Sequence, residues 1–475
     1  MIRSFIAANK TFCIIVSAAV IVHCGIFFTF KHIAAEHPLA LHNAFPIPGG
    51  GYDPLDYLDL GQNILHYGNF SMQPGSNAPA ETYRTPGYPF FVAAVLGLTG
   101  NVDGIVFFQI ILLAFAALII YLTVLEIMPA YRWLALVVVS IFVFEPTIFM
   151  STQFVATEVL YTTLFLLSVY LLVKKSSKPV MTWALAGFVL GLSALARPSG
   201  LYMSIPILIW ITINFFKAQD RKQLLRQTGA FMLALLVIVS GWSLRNMVRT
   251  GIFGFSSLSA YNTLFNIPVY LSYKDKTPVE ESRKVLTEKV GGLNDFQKRD
   301  IRNSAIMEKV AWEVLKPNIV NYTFYHVSKS ANFFFSPGTK LVSRFAEGFW
   351  EDQPHDTWHP ETSFINSLIE GRWGDVFMII YQNILFFPET LVLVLMFIGG
   401  LYWSLFSPLK QAKLIVGLIL FLGLLTSPIT NARYRVPVMP LIYFSGLSGI
   451  VLAYQKLKKA PVRGDQDATE LDAGV

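Results

Sequence analysis

Acidic and basic side chains that could act on a substrate lie in the first polar stretch of the chain. Asp53 and Asp56 follow a run of three glycines, and Arg84 lies about thirty residues later, in the segment Tyr83–Pro89. A carboxylate can act as a general base, and a guanidinium can pair with a phosphate group. These residues therefore indicate a site that could activate a hydroxyl and bind a lipid phosphate.

The acidic residues of this stretch have alternative roles. Asp53 stands before Pro54, and an Asp-Pro pair at a helix start is also an ordinary capping arrangement. Asp56 is a competing candidate for a base, whereas Asp59 is expected on the solvated face of a helix. The residues alone leave capping, catalysis by Asp53 and catalysis by Asp56 open.

Further ionisable side chains are predicted at the same membrane face as Asp53. Such groups are costly beside lipid unless they are paired or face a wet cavity. Two of them are carboxylates that could support a site, and four are arginines that together could form a pocket for a phosphate. Any single arginine could instead merely reach the headgroup region. The residues are Glu145, Glu158, Arg197, Arg245, Arg433 and Arg435.

The composition indicates the solvent around these residues. Of the 475 residues, 54% are hydrophobic and 14% are charged, and the mean hydropathy is +0.51. Soluble domains carry about 25% charged residues, so we expect a protein embedded in membrane lipids. The formal charge of +7 is spread between apolar runs instead of gathered in one patch, which argues against nucleic acid as a partner.

Apolar runs of spanning length predict an all-α polytopic membrane protein with about ten transmembrane helices. Residues 11–30 form the first run, which is expected to be a retained signal anchor. Both cysteines, Cys13 and Cys24, lie within it and are expected to be small buried hydrophobes. The other runs are 104–127, 133–150, 154–173, 181–196, 201–216, 227–247, 379–406, 412–427 and 436–454.

The distribution of Lys and Arg predicts the orientation of the chain. Alternate short loops carry more basic residues, by roughly threefold, which places both termini in the cytoplasm of a multi-pass plasma (bacterial inner) membrane protein. The N-terminal transmembrane module (1–250) then has an external loop at 31–103 that holds the active site. A mixed extracytoplasmic domain follows (251–378), and then C-terminal transmembrane helices with a short cytoplasmic tail (379–475).

Local signals predict helices in both polar segments. Residues 49–67 have apolar side chains at helical spacing, which indicates a short helix along the membrane surface. Thr277–Glu280 matches a capping box with proline at the first helical position, and a second helix is predicted from 295 to about 315. Residues 331–337 are aromatic-rich and too short to span, so they are expected at the membrane interface.

The order of several motifs resembles a known family. Asp53 is followed four residues on by Tyr57, then by Gln-Asn-Ile-Leu-His-Tyr-Gly-Asn-Phe at 62–70 and Arg-Thr-Pro-Gly-Tyr-Pro at 84–89. This looks like the first extracytoplasmic loop of GT-C glycosyltransferases, specifically the family 39 group with protein O-mannosyltransferases and the lipid A aminoarabinose transferase. Further matches are Glu145-Pro146, Ala156-Thr157-Glu158, Ala196-Arg197-Pro198, Gly241–Asn246 and Arg433–Pro437.

The resemblance implies a GT-C architecture and an inverting hexosyl- or pentosyltransferase of cell-envelope glycosylation. Its donor would be a polyprenyl-phosphate sugar, and its acceptor an extracytoplasmic lipid, glycan or protein. Asp53 would be the catalytic base, because inversion with a phosphate leaving group needs a base and cationic stabilisation, not a second acid. Arginines alone can neutralise a monophosphate, so no metal or other cofactor is required. The implied substrate-binding residues are Tyr57, Arg84, Tyr88, Glu158, Arg197, Arg245, Arg433 and Arg435.

Two departures from the family pattern predict different donor contacts. Many relatives carry a second acidic residue directly after the catalytic aspartate, where this chain has Pro54. Many also carry lysine before a pair of prolines, where this chain has Arg84 followed by Thr85 and Pro86.

Two other functions fit part of the pattern. A lipid-linked oligosaccharide polymerase or ligase would need similar lipid chemistry and stays open. A membrane transporter or flippase usually has internal repeats and interrupted helices with binding groups near the bilayer centre, and the sequence indicates neither. His355 and His359 have the spacing of two metal ligands on a helix, but the flanking prolines argue against a helix, so no metal site is predicted.

Overall fold

The computed structural model describes residues 7–36, 52–339, 386–428 and 432–459, and every regular element within these ranges is helical. The first eleven helices are α1 (Lys10–Glu36), α2 (Tyr52–Tyr67), α3 (Gly87–Thr99), α4 (Asp103–Ile127), α5 (Arg132–Val143), α6 (Pro146–Gln153), α7 (Glu158–Val173), α8 (Pro179–Ala196), α9 (Ser199–Tyr202), α10 (Ser204–Phe215) and α11 (Arg221–Thr250). The later helices are α12 (Leu258–Asp275), α13 (Val279–Lys289), α14 (Asp295–Arg299), α15 (Ser304–Leu315), α16 (Ile319–Lys329), α17 (Ala331–Phe335), α18 (Phe387–Phe406), α19 (Lys410–Thr426) and α20 (Met439–Lys459).

Six helices in the described ranges are long and apolar enough to cross a membrane. They are α1, α4, α8, α11, α18 and the stretch Ala432–Lys458 that contains α20, and α5 with α6 would make a seventh. The predicted all-α polytopic architecture is therefore confirmed. The predicted runs 154–173 and 201–216 contain helices of 16 and 12 residues, shorter than the roughly 20 that usually span, so the count of ten stays a prediction.

The predicted span 133–150 is interrupted, so the expectation of unbroken helices is wrong at this position. The axes of α5 and α6 differ by 55°. The break occurs because Glu145 has an extended backbone and caps α6, where its carboxylate accepts a hydrogen bond from the Ile148 amide at 3.1 Å. Pro146 at the first helical position reinforces the new start. The break leaves Glu145 3% exposed among the helices.

Large apolar side chains and close backbone contacts hold the spanning helices together. Trp403 is buried in their common cluster, as are Phe333 and Phe334 of α17, a helix too short to span, as predicted. A Cβ added at Gly446 of α20 would lie 2.6 Å from the Cα of Met396 in α18. Because lipid is as apolar as the side chains, such close packing is a main source of helix association.

Residues 251–339, called here the helical domain, form a second small core from Leu264, Ile267, Leu286 and Met307. The predicted capping box at Thr277–Glu280 is wrong. Helix α13 begins one residue later than predicted, and Pro278 has a ψ of 138°, which places it outside the helix.

The predicted helix at 295–315 is divided. A capping box of Asn294 and Gln297 begins α14, which ends at Arg299. Asp300 is extended, with φ −77° and ψ 128°, and its carboxylate accepts a hydrogen bond from the Arg302 amide at 2.9 Å. A short acidic side chain that bonds to nearby amides competes with helix continuation, which explains the division.

Candidate active site

Helices α2 and α3 position the predicted residues of the first polar stretch. The helix predicted at 49–67 is confirmed as α2. Its Tyr57 ring meets the Tyr88 ring of α3 edge-to-face, with 5.0 Å between the ring centroids, and the two residues are 8% and 0% exposed. Aromatic pairs in this geometry stabilise beyond simple burial, so the pair fixes α2 against α3.

The start of α3 lies directly against the end of α8. A Cβ at Gly87 would lie 2.6 Å from the main-chain nitrogen of Ala196, so the approach requires glycine. Arg84 precedes Gly87 by three residues, and Arg197 follows Ala196. The contact therefore brings two predicted arginines into one region.

Asp56 is the centre of a buried group of charges, called here the Asp56 cluster. Its Oδ2 accepts hydrogen bonds from Nε and Nη2 of Arg84 at 3.1 and 2.8 Å, and from Nη1 of Arg299 at 3.1 Å. The side chains of Asp56, Arg84 and Arg299 are 7%, 8% and 17% exposed. One carboxylate oxygen thus binds two guanidinium groups.

Tyr83 lies against both guanidinium groups of the Asp56 cluster. The Cζ atoms of Arg84 and Arg299 lie 4.7 and 5.0 Å from the centroid of its ring. Both distances are within the roughly 6 Å at which a cation is attracted to an aromatic face. The Tyr83 ring therefore helps to hold two like charges near each other.

Glu81 shapes the turn that presents Arg84. Its carboxylate accepts hydrogen bonds from the backbone N–H of Tyr83 and, at 3.1 Å, from that of Arg84. Burial raises the pKa of Glu81 above its usual 4.5, although the two amides and Arg84 oppose this shift. Burial thus stabilises the protonated form of Glu81 in the folded protein relative to the unfolded chain.

Arg299 is a member of the cluster that the sequence analysis missed. It lies 243 residues from Asp56 and next to other basic residues in a polar stretch. The predicted continuous helix gave no reason to single it out. The only local signal is Asp300, which ends α14 directly after Arg299.

Glu158 forms a second group of the same composition, called here the Glu158 cluster. Its Oε1 accepts hydrogen bonds from Nη1 of Arg197 at 3.0 Å and from Nε of Arg433 at 2.6 Å. Glu158 is fully buried at the N-terminal end of α7, where the helix dipole favours a carboxylate. The two arginine side chains are 20% and 39% exposed, so both are partly accessible.

Tyr88 connects the two clusters. Its hydroxyl donates to Oε1 of Gln109 at 2.8 Å, and Nε2 of Gln109 donates to the carbonyl of Phe154 at 2.8 Å, which fixes the segment that leads into α7. Tyr88 lies within electrostatic range of Glu158. On the other side of the aromatic pair, the Tyr57 hydroxyl accepts from Nη1 of Arg84 at 3.5 Å.

Arg245 of α11 binds the backbone of the first polar stretch. Nη1 donates to the Glu81 carbonyl at 2.8 Å and Nη2 to the Phe70 carbonyl at 3.1 Å. Its Cζ lies 4.7 Å from the ring centroid of Trp242. These contacts make Arg245 an anchor for the segment that carries Glu81 and Arg84.

Arg435 is fully buried and lies among carboxylates, in what is called here the Arg435 cluster. Nη1 donates to the Phe333 carbonyl at 3.0 Å, and Nη2 lies 3.8 Å from Oε1 of Glu389. Glu145 is within electrostatic range of Arg435, and a Cβ at Gly338 would contact the carboxylates of both Glu145 and Glu389. Two carboxylates thus accompany one guanidinium, the reverse of the proportion in the other clusters.

Asp53 lies in the first turn of α2, three residues before Asp56 and four before Tyr57. Its side chain lies outside the described part of the structure. Asp59, further along α2, is exposed, as predicted.

The described residues contain no group of three His, Cys, Asp or Glu side chains that could hold a metal ion. His355 and His359, whose spacing was considered for a metal, lie outside the described residues.

Comparisons with known proteins bear on the family and the fold. Residues 83–243 match the sequence model of the family described as dolichyl-phosphate-mannose-protein mannosyltransferase. The archaeal oligosaccharyltransferase AglB from Archaeoglobus fulgidus, in complex with an inhibitory peptide and a dolichol-phosphate, is 14% identical with a TM-score of 0.48, over 92% of this chain and 50% of that chain. The Archaeoglobus fulgidus oligosaccharyltransferase with Zn and sulfate is 14% identical with a TM-score of 0.47, over 86% and 46%. This chain therefore spans about half the length of these structures, and no curated protein sequence matches it.

The family match begins at Tyr83, within the segment that carried the resemblance, and it includes Arg84, Tyr88, Glu158 and Arg197. The predicted resemblance to GT-C glycosyltransferases is therefore confirmed for residues 83–243, about a third of the chain. The described helices of spanning length make the chain a multi-pass membrane protein.

Proposed function

We propose that this protein is an inverting glycosyltransferase that moves a sugar from a polyprenyl-phosphate donor to a hydroxyl of an acceptor on the extracytoplasmic side of the membrane. The observation that carries the proposal is the pair of clusters at Asp56 and Glu158. Each holds two arginines on one carboxylate beside the aromatic pair of α2 and α3. Two neighbouring groups of arginine side chains suit a lipid phosphate.

The donor phosphate binds where guanidinium groups are both clustered and accessible. Arg433 and Arg197 fulfil these conditions best, since their side chains are 39% and 20% exposed. Arg84 is more buried, and it adds positive potential from the other side of the Tyr57–Tyr88 pair. A partly desolvated guanidinium attracts a phosphate more strongly than it would in bulk water.

Asp53 is a better candidate for the base than Asp56. The Oδ2 atom of Asp56 already accepts three N–H bonds from two arginines, and its side chain is 7% exposed. A base must reach the proton of the acceptor hydroxyl, and an oxygen that already accepts three N–H bonds in a buried position is poorly placed to do so. Asp56 therefore holds the arginines, and Asp53, one turn earlier on α2, acts as the base.

The reaction then follows from these positions. Asp53 takes the proton of the acceptor hydroxyl while the hydroxyl oxygen attacks the anomeric carbon from the face opposite the phosphate. The bond between the anomeric carbon and the phosphate oxygen breaks, and its electron pair leaves on the phosphate. The arginines stabilise this developing charge, which is the role of preorganised cationic groups in catalysis.

The test is transfer by purified Asp53→Asn protein in liposomes with a radiolabelled polyprenyl-phosphate sugar. Removing a general base is expected to lower the turnover rate by about 10²–10⁴-fold. Binding of the donor should change little, since Asn keeps the size of the side chain. Asp59→Asn on the same helix is the matched control, because Asp59 is exposed.

Two results would refute the assignment. Unchanged transfer by Asp53→Asn at normal membrane abundance would exclude Asp53 as the base. Absence of transfer by the wild-type protein from single-sugar donors, with transfer from oligosaccharide donors, would replace the proposal by an oligosaccharide transferase.

A further inference from the structure

The helical domain is docked on the segment of the first polar stretch that carries Arg84. The Ser257 amide donates to the Thr82 carbonyl at 3.0 Å, and the Ser256 hydroxyl donates to the Tyr83 carbonyl at 2.6 Å. The Ile301 amide donates to the Thr82 hydroxyl at 3.0 Å. Two separate parts of the domain therefore hold the same short segment, in a contact called here the docking seam.

The docking seam also fixes Arg299. The Arg299 carbonyl accepts hydrogen bonds from the hydroxyl groups of Ser257 and, at 3.4 Å, of Thr82. Its backbone is thereby held at the end of α14, where the extended Asp300 stops the helix. From this position the side chain reaches Asp56 and the Tyr83 ring.

Arg299 and Arg84 share two neighbours, Asp56 and Tyr83. The same oxygen, Oδ2 of Asp56, accepts from both guanidinium groups, and the ring of Tyr83 lies near both. Without Arg299, Oδ2 of Asp56 would lose one of the two guanidinium groups that hold it. The geometry at Asp56 therefore depends on a residue that the helical domain supplies.

We infer that Arg299 is a positioning residue that couples docking of the helical domain to the cationic site, by fixing Asp56 and, through Asp56, the guanidinium of Arg84. The inference rests on the proposed function for its effect on transfer. If Arg299 has this role, the first polar stretch alone does not form a complete site. The ligand of the complete site is a phosphate monoester or diester anion carried by a lipid.

A double-mutant cycle tests this coupling. The four proteins are wild type, Arg299→Gln, Asp56→Asn and the double variant, each full length in liposomes. Arg299→Gln is expected to lower kcat/KM for the lipid-phosphate sugar about ten- to hundredfold, mainly through KM, as removal of a buried charge-assisted contact would. Because Arg299 acts through Asp56, the double variant should be no worse than Asp56→Asn alone.

Two further variants separate positioning from general charge. Arg302→Gln is the matched control, since Arg302 is 62% exposed and pairs with Asp300. It should leave kcat/KM and KM unchanged. Arg299→Lys keeps the charge but loses the planar fork, so it should recover part of the KM effect.

Several outcomes would overturn the inference. Independent, multiplicative losses in the cycle would mean that Arg299 does not act through Asp56, and an equal loss in Arg302→Gln would indicate only long-range charge. A competition assay, with inorganic phosphate added against the lipid-phosphate donor, identifies the source of the anion. If only inorganic phosphate competes for the site, and its inhibition of transfer is the same in wild type and Arg299→Gln, the inference is also contradicted.

If wild-type protein transfers no sugar from any lipid-phosphate donor, the proposed function fails, and the cycle is then read from thermal unfolding midpoints in detergent. Non-additive shifts in the midpoint would still support the coupling of Arg299 to Asp56. Additive shifts would refute it independently of the reaction.

Discussion

The Glu158 cluster and the Arg435 cluster contain the same residue types in opposite proportions. Glu158 binds Arg197 and Arg433, whose side chains are 20% and 39% exposed. Arg435 is fully buried and is accompanied by Glu145 and Glu389. One group joins two arginines to one carboxylate near accessible space, and the other joins two carboxylates to one arginine within the helix bundle.

We expect from this contrast that an arginine does not bind phosphate merely because it lies at the predicted membrane face. Whether an arginine binds phosphate depends on the charges around it and on its access to the ligand. Arg435 donates to the Phe333 carbonyl, and Glu389 accepts from the amides of Gly338 and Thr339 at 2.5 and 3.0 Å. The Arg435 cluster thus joins α17 and the chain after it to α18, which is a structural task.

The largest expected effect is on stability, in Arg435→Leu. Removal of one member of a buried ion group leaves the others uncompensated, which costs about 3–5 kcal/mol. We expect the free energy of unfolding in detergent to fall by this amount, measured by denaturant titration. Transfer per folded molecule should fall less than in Arg433→Gln.

The double variant Arg435→Leu with Glu145→Gln checks the cause of this loss. It should regain part of the stability, because one uncompensated carboxylate has been removed. A stable Arg435→Leu protein that has lost all transfer would mean that Arg435 binds substrate and that the contrast between the clusters is wrong.

The second effect is on donor binding, in Arg433→Gln. A hydrogen bond to a charged group contributes about 1.5–3 kcal/mol, which corresponds to a roughly ten- to hundredfold rise in KM for the donor. The unfolding midpoint should change little, because Glu158 keeps Arg197 and Arg433 is partly exposed. The measurement is a donor titration of transfer in liposomes.

Arg302→Gln again serves as the control for loss of a single positive charge, since Arg302 pairs only with nearby Asp300 in the described structure. One result would contradict this assignment: an unchanged KM for the donor in Arg433→Gln together with a raised KM in Arg302→Gln. The charge of the helical domain, and not the Glu158 cluster, would then attract the donor.

The helices were predictable because their signals are local. The apolar runs gave the long spanning helices, and the spacing at 49–67 gave α2. The breaks at Glu145 and Asp300 were missed, because a single side chain that caps the next turn does not interrupt the apolar periodicity. Each break depends on a local hydrogen bond, whereas helix propensity is informative only when it is summed over a whole segment.

The site was predictable only in its parts. Arg84, Arg197 and Arg433 were predicted at one membrane face, and the family motifs marked Glu158. The sequence did not give the pairing of two arginines with each carboxylate, since these contacts join residues up to 275 positions apart. Arg435 and Arg433 were both predicted to bind substrate, because the burial and the charged neighbours that distinguish them depend on how the helices pack.

The smallest effect concerns pH and tests whether ionisation of Glu81 affects the neighbouring Asp56 cluster. Burial raises the pKa of Glu81 above 4.5 in the folded protein, so the folded state binds its proton more tightly than the unfolded state. Its contribution to stability is therefore full below pH 4.5 and is lost as the pH rises through the folded pKa. Across that window, the unfolding midpoint of wild type should fall relative to Glu81→Gln. Parallel pH curves for the two proteins would contradict the shift, and a KM that rises with pH only in wild type would connect ionised Glu81 to weaker phosphate binding.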